Sequence, residues 1–206
     1  MIRRRAAVAA ALAGLAASSA LWAAKIETLD VTRKQGRYLL AANAHLDATP
    51  ESIYAVLTDY DDNAYGKISS VYKESRYLDP APDGTPIVYT LMEGCMLRYC
   101  LTMRRTERLE TVEPRLIKSV ALPEQSNFKY SMSEWLLEPD GVGGTNMIYK
   151  LEMEPDFRIP PVIGPWYLKR TLSQGGVRAV MRIERLARLM DGLSVGPEIP
   201  LGGGRR

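Results

Sequence analysis

The stretch Pro160–Met190, PPVIGPWYLKRTLSQGGVRAVMRIERLARLM, decides how the rest of the chain is read. Pro160, Pro161, Gly164 and Pro165 make its opening rigid and non-helical. Pro165 suits the first helical position, where its missing N–H would have had no partner anyway. From there Leu168, Leu172, Gly176, Ala179, Val180, Ile183, Ala187 and Met190 recur at steps of three and four. That spacing is one face of a helix of period 3.6. Lys169, Arg170, Arg178, Arg182, Arg185 and Arg188 fall between them and predict a solvated basic face. Gly192 is placed to cap the C-terminus. The helix is about 25 residues, roughly 37 Å at 1.5 Å per residue. Nothing else after residue 23 supports a long helix. The preceding chain reads as short strands, so the economical arrangement is a sheet wrapped around this helix.

Working back to the start, Arg3, Arg4 and Arg5 precede an Ala/Leu-rich run and then small residues as far as Ala24. A basic start, an apolar middle and a small-residue end are the parts of a secretory signal peptide. Residues 1–23 are expected to be that signal, cut after Ala20 or Ala23, and the protein to be periplasmic or secreted. An uncleaved N-terminal anchor is the alternative, although the apolar run is short for a span. The chain carries 27 Lys+Arg and 24 Asp+Glu. Loss of three arginines with the signal leaves the two counts equal, which argues against a nucleic-acid binder. Residues 24–192 suit one domain with a sizeable core. Residues 193–206, rich in Gly and Pro and without periodicity, are expected to be a disordered tail.

Between these ends the pattern is β. Arg37–Leu46 is a strand candidate, followed by a short helix capped by Thr49 with Pro50 at its first position. Asp59-Tyr60-Asp61-Asp62-Asn63 closes that helix in a polar loop whose spacing does not fit a calcium-binding loop. Strands are expected at 68–78, 87–93, 97–105, 116–122, 129–137 and 147–153, with turns at Asp79–Gly84 and Pro139–Gly144. In the fourth, Leu97, Tyr99, Leu101 and Met103 alternate with Arg98, Cys100, Thr102 and Arg104. In the last, Met147, Tyr149, Leu151 and Met153 alternate with Ile148, Lys150, Glu152 and Glu154. Consecutive strands with short turns imply an antiparallel meander, and helices kept to one side make the class α+β.

A strand, a Thr-Pro-Glu helix start, the Asp59-Tyr60-Asp61 loop, a meander with Trp135-Leu136-Leu137-Glu138-Pro139, and a Pro-rich loop into a long C-terminal helix occur in that order. The order resembles the START-like (SRPBCC) superfamily, in its polyketide-cyclase and coenzyme-Q-binding branch, especially exported bacterial members. The resemblance covers about Arg37 to Met190. It implies the helix-grip fold, a curved antiparallel sheet around the C-terminal helix, with an apolar cavity between them. One departure stands out: Ala64-Tyr65-Gly66 replaces the proline that often follows the Asp-Tyr-Asp loop.

Chemistry is sparse. His45 is the only histidine, and no metal-ligand spacing, nucleophile elbow or phosphate-binding glycine loop accompanies it. Glu93, Arg98, Glu134 and Lys150 are the charged strand residues that a cavity enzyme could use, each expected to face solvent. No metal and no cofactor is expected. Large or adaptable side chains are plentiful instead. Tyr89, Leu91, Tyr99, Leu101, Met103, Trp135, Leu137, Met147, Tyr149, Leu151, Trp166, Leu172, Gly176 and Val180 are the expected ligand-binding set. Gly175-Gly176 inside the helix costs about 1 kcal/mol per glycine relative to alanine, which suggests a kink or a wanted space.

The expected function is therefore non-enzymatic binding or transport of a hydrophobic ligand, a lipid or quinone-like molecule. A cavity enzyme of the polyketide cyclase/aromatase or hydrolase kind is the alternative, and an interaction module with a collapsed cavity is a third. The partner is a hydrophobic small molecule, with transient membrane contact by the loop 159–167, and the protein is expected to be a monomer that binds no nucleic acid. Cys95 and Cys100, the only cysteines, are expected to form a disulfide across a hairpin tip. On one straight strand they would lie about 17 Å apart, so the turn must fall within Met96–Tyr99.

Overall fold

A computed structural model describes residues 24–96, 99–157 and 164–200. The segment read as a signal peptide, residues 158–163, on which most of the expected membrane-contacting stretch falls, and Leu97 and Arg98 lie outside the described residues. The chain order is β1 (Lys25–Lys34), β2 (Arg37–Leu46), α1 (Pro50–Thr58), α2 (Tyr65–Ile68), β3 (Tyr72–Leu78), β4 (Ile87–Met96), β5 (Tyr99–Val112), β6 (Leu116–Ala121), β7 (Phe128–Pro139), β8 (Thr145–Pro155) and α3 (Gly164–Met190). All eight strands form one antiparallel sheet in the order β1-β2-β8-β7-β6-β5-β4-β3. The class is α+β and the architecture the helix-grip that the sequence implies: a curved open sheet with α3 on its concave face.

The inner face is legible strand by strand. Tyr38, Leu40, Ala42, Ala44 and Leu46 of β2 alternate inward, as do Met147, Leu151 and Met153 of β8. One apolar cluster joins Leu46, Ile53, Leu57, Leu137 and Met147 to Val180, Ile183 and Ala187 of α3. Full burial of each large apolar side chain contributes about 1.5–3 kcal/mol, so this cluster is what holds the helix on the sheet. A second cluster, with Val31, Met92, Phe128 and Met153, lies on the side of Leu172.

Several boundaries differ from expectation. β1 has few inward apolar residues and offers no alternation to read; it is an edge strand, pairing only with β2. The strand expected from Ile68 begins at Tyr72, because the short α2 occupies 65–68. β5 runs on to Val112 rather than ending at Arg105. The β4–β5 register sets Met96 opposite Tyr99 and Cys95 opposite Cys100, and the two cysteines are bonded, as expected. The Tyr167 hydroxyl donates to the Cys95 carbonyl, tying the first turn of α3 to that hairpin.

α3 spans 27 residues without interruption through Gly175-Gly176. A Cβ at Gly175 would meet nothing within 4 Å, and one at Gly176 would touch Leu29 of β1 at 3.8 Å. The helix ends in a Schellman arrangement: Leu193 N–H donates to Arg188 C=O and Gly192 N–H to Leu189 C=O, with Gly192 at φ +70°. The expectation of a solvated basic face needs correction. Arg182 and Arg188 are buried, and with Arg185 they donate to backbone carbonyls beyond the helix end. Periodicity reports which residues are polar, not whether something covers them.

α3 also anchors the start of α1. Thr49 caps α1 by accepting from Ser52 N–H at 3.3 Å. The Asp191 carboxylate in turn accepts from Thr49 N–H (2.9 Å), Thr49 Oγ1 (2.8 Å) and Ser52 Oγ (2.5 Å). Burial works against the Asp191 charge, but these donors outweigh it and hold its pKa below the usual range. Asp191→Ala is expected to destabilise the fold by about 1–3 kcal/mol, since hydrogen bonds to a charged group are lost. The depressed pKa means the contribution is present above the unfolded carboxylate value and fades as pH falls through the folded one. Urea midpoints at pH 7 and pH 3 check it: the gap between wild type and variant should narrow at pH 3.

Candidate functional site: a polar cavity under the sheet

The inward parity of β5 that places Met103 inside continues to Arg105, Glu107 and Leu109. Arg105 is 9% exposed and Glu107 0%. Charged residues at consecutive inward positions demand a partner, since an isolated buried charge is prohibitive. They supply one another: Arg105 Nε lies 3.0 Å from Glu107 Oε2. The approach is an ion pair without hydrogen-bond alignment, so both of these buried atoms retain bonding capacity.

The opposite oxygen, Glu107 Oε1, accepts from Ser119 Oγ at 2.7 Å, and Ser119 Oγ lies 2.9 Å from Ser133 Oγ. Ser119 and Ser133 are register partners across β6 and β7, so the pairing follows from the sheet itself. Small polar residues at these inward positions leave room where large ones would close the sheet onto the helix. Aromatic rings complete the walls. Trp135 and Tyr149, opposite each other on β7 and β8, stack with centroids 3.8 Å apart. Tyr60 and Tyr65 stack at 4.3 Å, and Tyr72 meets Tyr65 edge-on at 5.1 Å. The Tyr65 hydroxyl donates to Leu57 C=O at 2.7 Å and lies 3.0 Å from Tyr60 Oη.

Tyr65, from the Ala64-Tyr65-Gly66 stretch, is part of the cavity wall. Asp62 and Asn63 just before it take φ of 46° and 57°, a left-handed turn that Asp and Asn tolerate. With Ile117, the residues Tyr60, Tyr65, Tyr72, Arg105, Ser119, Ser133, Trp135 and Tyr149 enclose about 20 Å³. That holds roughly one water.

The electrostatics are those of a site that keeps its protonation. Burial drives the phenols of Tyr60, Tyr65 and Tyr149 up, away from ionisation. Burial is the largest influence on Arg105 and opposes its charge, but the Glu107 carboxylate together with the phenols of Tyr72, Tyr149 and Tyr60 outweighs it, so the guanidinium stays protonated.

Of the residues expected at the site, Trp135 and Tyr149 line this cavity. Leu137, Met147 and Val180 sit in the apolar cluster beneath α3. Met103, Leu151 and Leu172 sit in the second cluster. Tyr89 lies on the opposite face of β4 from Val88, Thr90 and Met92, with the Arg76 guanidinium 4.5 Å over its ring, and Leu91 shares its parity. Leu101 and Trp166 are exposed, Trp166 at 64%. Gly176 faces Leu29 of β1. The Tyr99 side chain lies outside the described residues.

Glu134 pairs outward with Lys150 and Glu93 with Lys73, each at 3.8 Å, as solvent-facing charges should; Arg98 lies outside the described residues. His45, the lone histidine, is held by Asp140 at 2.8 Å in the β7–β8 turn region, away from the cavity.

Sequence reasoning missed Arg105, Glu107, Ser119, Ser133, Tyr60, Tyr65 and Tyr72. A signal for the first two was present. Extending the β5 alternation by two steps puts both charges on the inner face.

A family model described as "Polyketide cyclase / dehydrase and lipid transport" matches residues 39–191. No curated protein matches the sequence. Among solved structures, the chain is similar to the Zhui aromatase/cyclase from Streptomyces sp. R1128, at 13% identity and a TM-score of 0.58 over 75% of this chain and 96% of that one. It is similar to a START superfamily protein from Mycobacterium smegmatis, at 17% identity and a TM-score of 0.57 over 74% and 98%. A STAR-related lipid transfer protein from Xanthomonas axonopodis gives 15% identity and 0.51 over 79% and 98%. At these identities the likeness is one of fold.

Proposed function

Because the chain belongs to the polyketide cyclase / dehydrase and lipid transport family, we propose that it binds and carries a hydrophobic molecule between its sheet and α3, the molecule's polar end meeting Arg105 and Glu107. The observation that carries this reading is a pair of buried atoms without hydrogen bonds: Arg105 Nε, on a residue that lines the aromatic-walled cavity, and Glu107 Oε2, 3.0 Å from it. One is a donor and the other an acceptor. A hydroxyl can satisfy both, because it donates and accepts at once. A quinol or an alcohol-headed lipid therefore fits the pole better than a quinone carbonyl, which can only accept from Arg105.

Ligand sites for molecules of this size occupy some 300–1,000 Å³, far more than the present cavity. Entry must displace wall side chains, and the half-buried rings of Tyr72, Trp135 and Tyr149 are the adaptable part. The test is mass spectrometry of organic extracts from purified protein, with an Arg105→Met/Glu107→Leu double variant beside it. Co-purification of an apolar molecule bearing a hydroxyl, lost in the variant, supports the reading. If delipidated wild type takes up no alcohol-headed lipid or quinol, the reading is wrong.

A second reading, a cavity enzyme of the cyclase or hydrolase kind, draws on the chain Glu107–Ser119–Ser133, a carboxylate beside two hydroxyls. General acid–base catalysis works best with a group tuned close to the operating pH. The shifted phenols and guanidinium of this cavity move away from neutrality, which favours holding a ligand over transforming it. A bound molecule that emerges chemically altered would reverse that preference.

Export is part of the proposal. The Cys95–Cys100 bond is compatible with an oxidising compartment, and no described helix is long and apolar enough to cross a membrane. Delivery to or from a bilayer would use the end of α3 nearest the disulfide hairpin. Trp166 is 64% exposed there beside exposed Lys169 and Arg170, with Leu101 exposed on β5. Exposed tryptophan with adjacent basic residues suits a bilayer interface. Phosphatidylglycerol vesicles are expected to blue-shift tryptophan emission in the wild type and not in Trp166→Phe. No shift in either protein removes the membrane role.

A further inference from the structure

Past the end of α3 the chain turns back along the helix. Arg188 Nε and Nη2 donate to Ser194 C=O at 3.1 and 2.9 Å. Arg185 Nε donates to Gly196 C=O at 3.5 Å. Arg182 Nε and Nη2 donate to Ile199 C=O at 3.4 Å and Pro200 C=O at 2.5 Å. The three arginines are spaced three residues apart, on one stripe of the helix, and every acceptor in the returning segment is a main-chain carbonyl. The segment has no secondary structure of its own.

Arg182 does more than hold this segment. Its Nη1 donates to Ile68 C=O at 2.9 Å, the last residue of α2. One guanidinium, 5% exposed, thus bridges the returning segment and the helix that carries Tyr65 into the cavity wall. Between them lies a space of about 230 Å³ lined by Lys67, Arg182, Arg185, Leu186, Glu198 and Ile199. The space opens to solvent and none of residues 194–200 is buried, so the segment is pinned by hydrogen bonds rather than by packing. Such a contact can be released without unfolding a core.

We propose that residues 194–200 form a strap that holds α2, and with it Tyr65, closed against the polar cavity, and that release of the strap through Arg182 opens the way in. The inference rests on the cavity being the ligand site, but its first readout does not need a ligand.

The test compares the full chain with a chain ending at Leu193, by amide hydrogen exchange at Lys67, Ile68 and Ser69. Removal of the strap is expected to speed exchange at these positions at least tenfold while β6–β8 stay protected. A synthetic peptide of residues 194–206 added in trans should restore protection. Exchange within twofold of the full chain overturns the strap. Should the truncated chain fail to fold, Arg185→Ala, which removes only a contact to the segment, is expected to move exchange in the same direction by a smaller factor, and no change there overturns it equally. Uptake of a fluorescent hydrophobic probe, anilinonaphthalene sulfonate, then separates the two readings. Equal uptake rates with and without the strap reject the gate but leave the ligand site standing. No uptake by either chain, together with failure to bind an alcohol-headed lipid or quinol, rejects the ligand site while the exchange result still decides the strap.

Discussion

Glu107→Ala is expected to destabilise the protein by about 3–5 kcal/mol, because it leaves the Arg105 guanidinium buried without its counter-charge. The carboxylate is 0% exposed, so water cannot take over. The same change strips Ser119 Oγ of its acceptor and breaks the run to Ser133. The double variant Arg105→Met/Glu107→Leu should behave differently. Apolar groups of similar volume replace a buried ion pair at little or no cost, and often with a gain. Urea denaturation of the four proteins of the cycle gives the coupling energy. A double variant as stable as wild type that binds no hydroxyl-bearing lipid would assign the pair to recognition. A double variant as unstable as Glu107→Ala would make the pair structural. Equal ligand affinity in wild type and double variant would detach recognition from this end of the cavity.

This pair also shows where sequence reasoning reached its limit. The meander, the α3 face, the Thr49–Pro50 helix start, the Gly192 cap and the cysteine pairing were all readable, because each rests on local spacing or on a residue with one strong preference. Arg105 was instead read as the end of a strand, since alternation analysis treats a charge as outward-facing. The rule fails where two charges neutralise one another inside, and that is settled by a contact within 3.0 Å, not by any period. Ser119 and Ser133 were invisible for a related reason. A small inward hydroxyl is unremarkable in sequence and gains meaning only from the strand register that sets the two side by side.

The arginines of α3 fail in the same way from the other direction. Arg182 and Arg188 look solvated by periodicity, and are covered by a segment that has no periodicity of its own. Long-range main-chain acceptors leave no trace in composition. Tyr65 and Tyr72 carry no periodic signal, because they sit in the short α2 and at the start of β3, although a tyrosine, apolar in body and polar at its tip, is an apt wall residue.

Trp135→Ala is the second change expected to have a large effect, on stability and on ligand choice together. Truncating a fully buried aromatic costs about 3–5 kcal/mol, from lost burial and from the space left behind. Trp135 is half-buried, stacked on Tyr149 and packed against the edge of the apolar cluster, so the loss should fall at the lower end of that range. The void opens beside Ser133 and Tyr149, since all three line the same cavity. If aromatic walls limit entry, the variant should bind an alcohol-headed lipid faster than wild type despite being less stable, and should accept bulkier heads. The polar anchor at Arg105 and Glu107 is untouched, so selectivity for a hydroxyl over a methyl ether should persist. Stopped-flow uptake of matched alcohol and ether lipids reads both. Faster uptake with retained hydroxyl selectivity assigns gating to the rings and recognition to the ion pair. Unchanged uptake would move the entrance away from the Trp135–Tyr149 stack, and lost selectivity would mean that the stack itself orients the head.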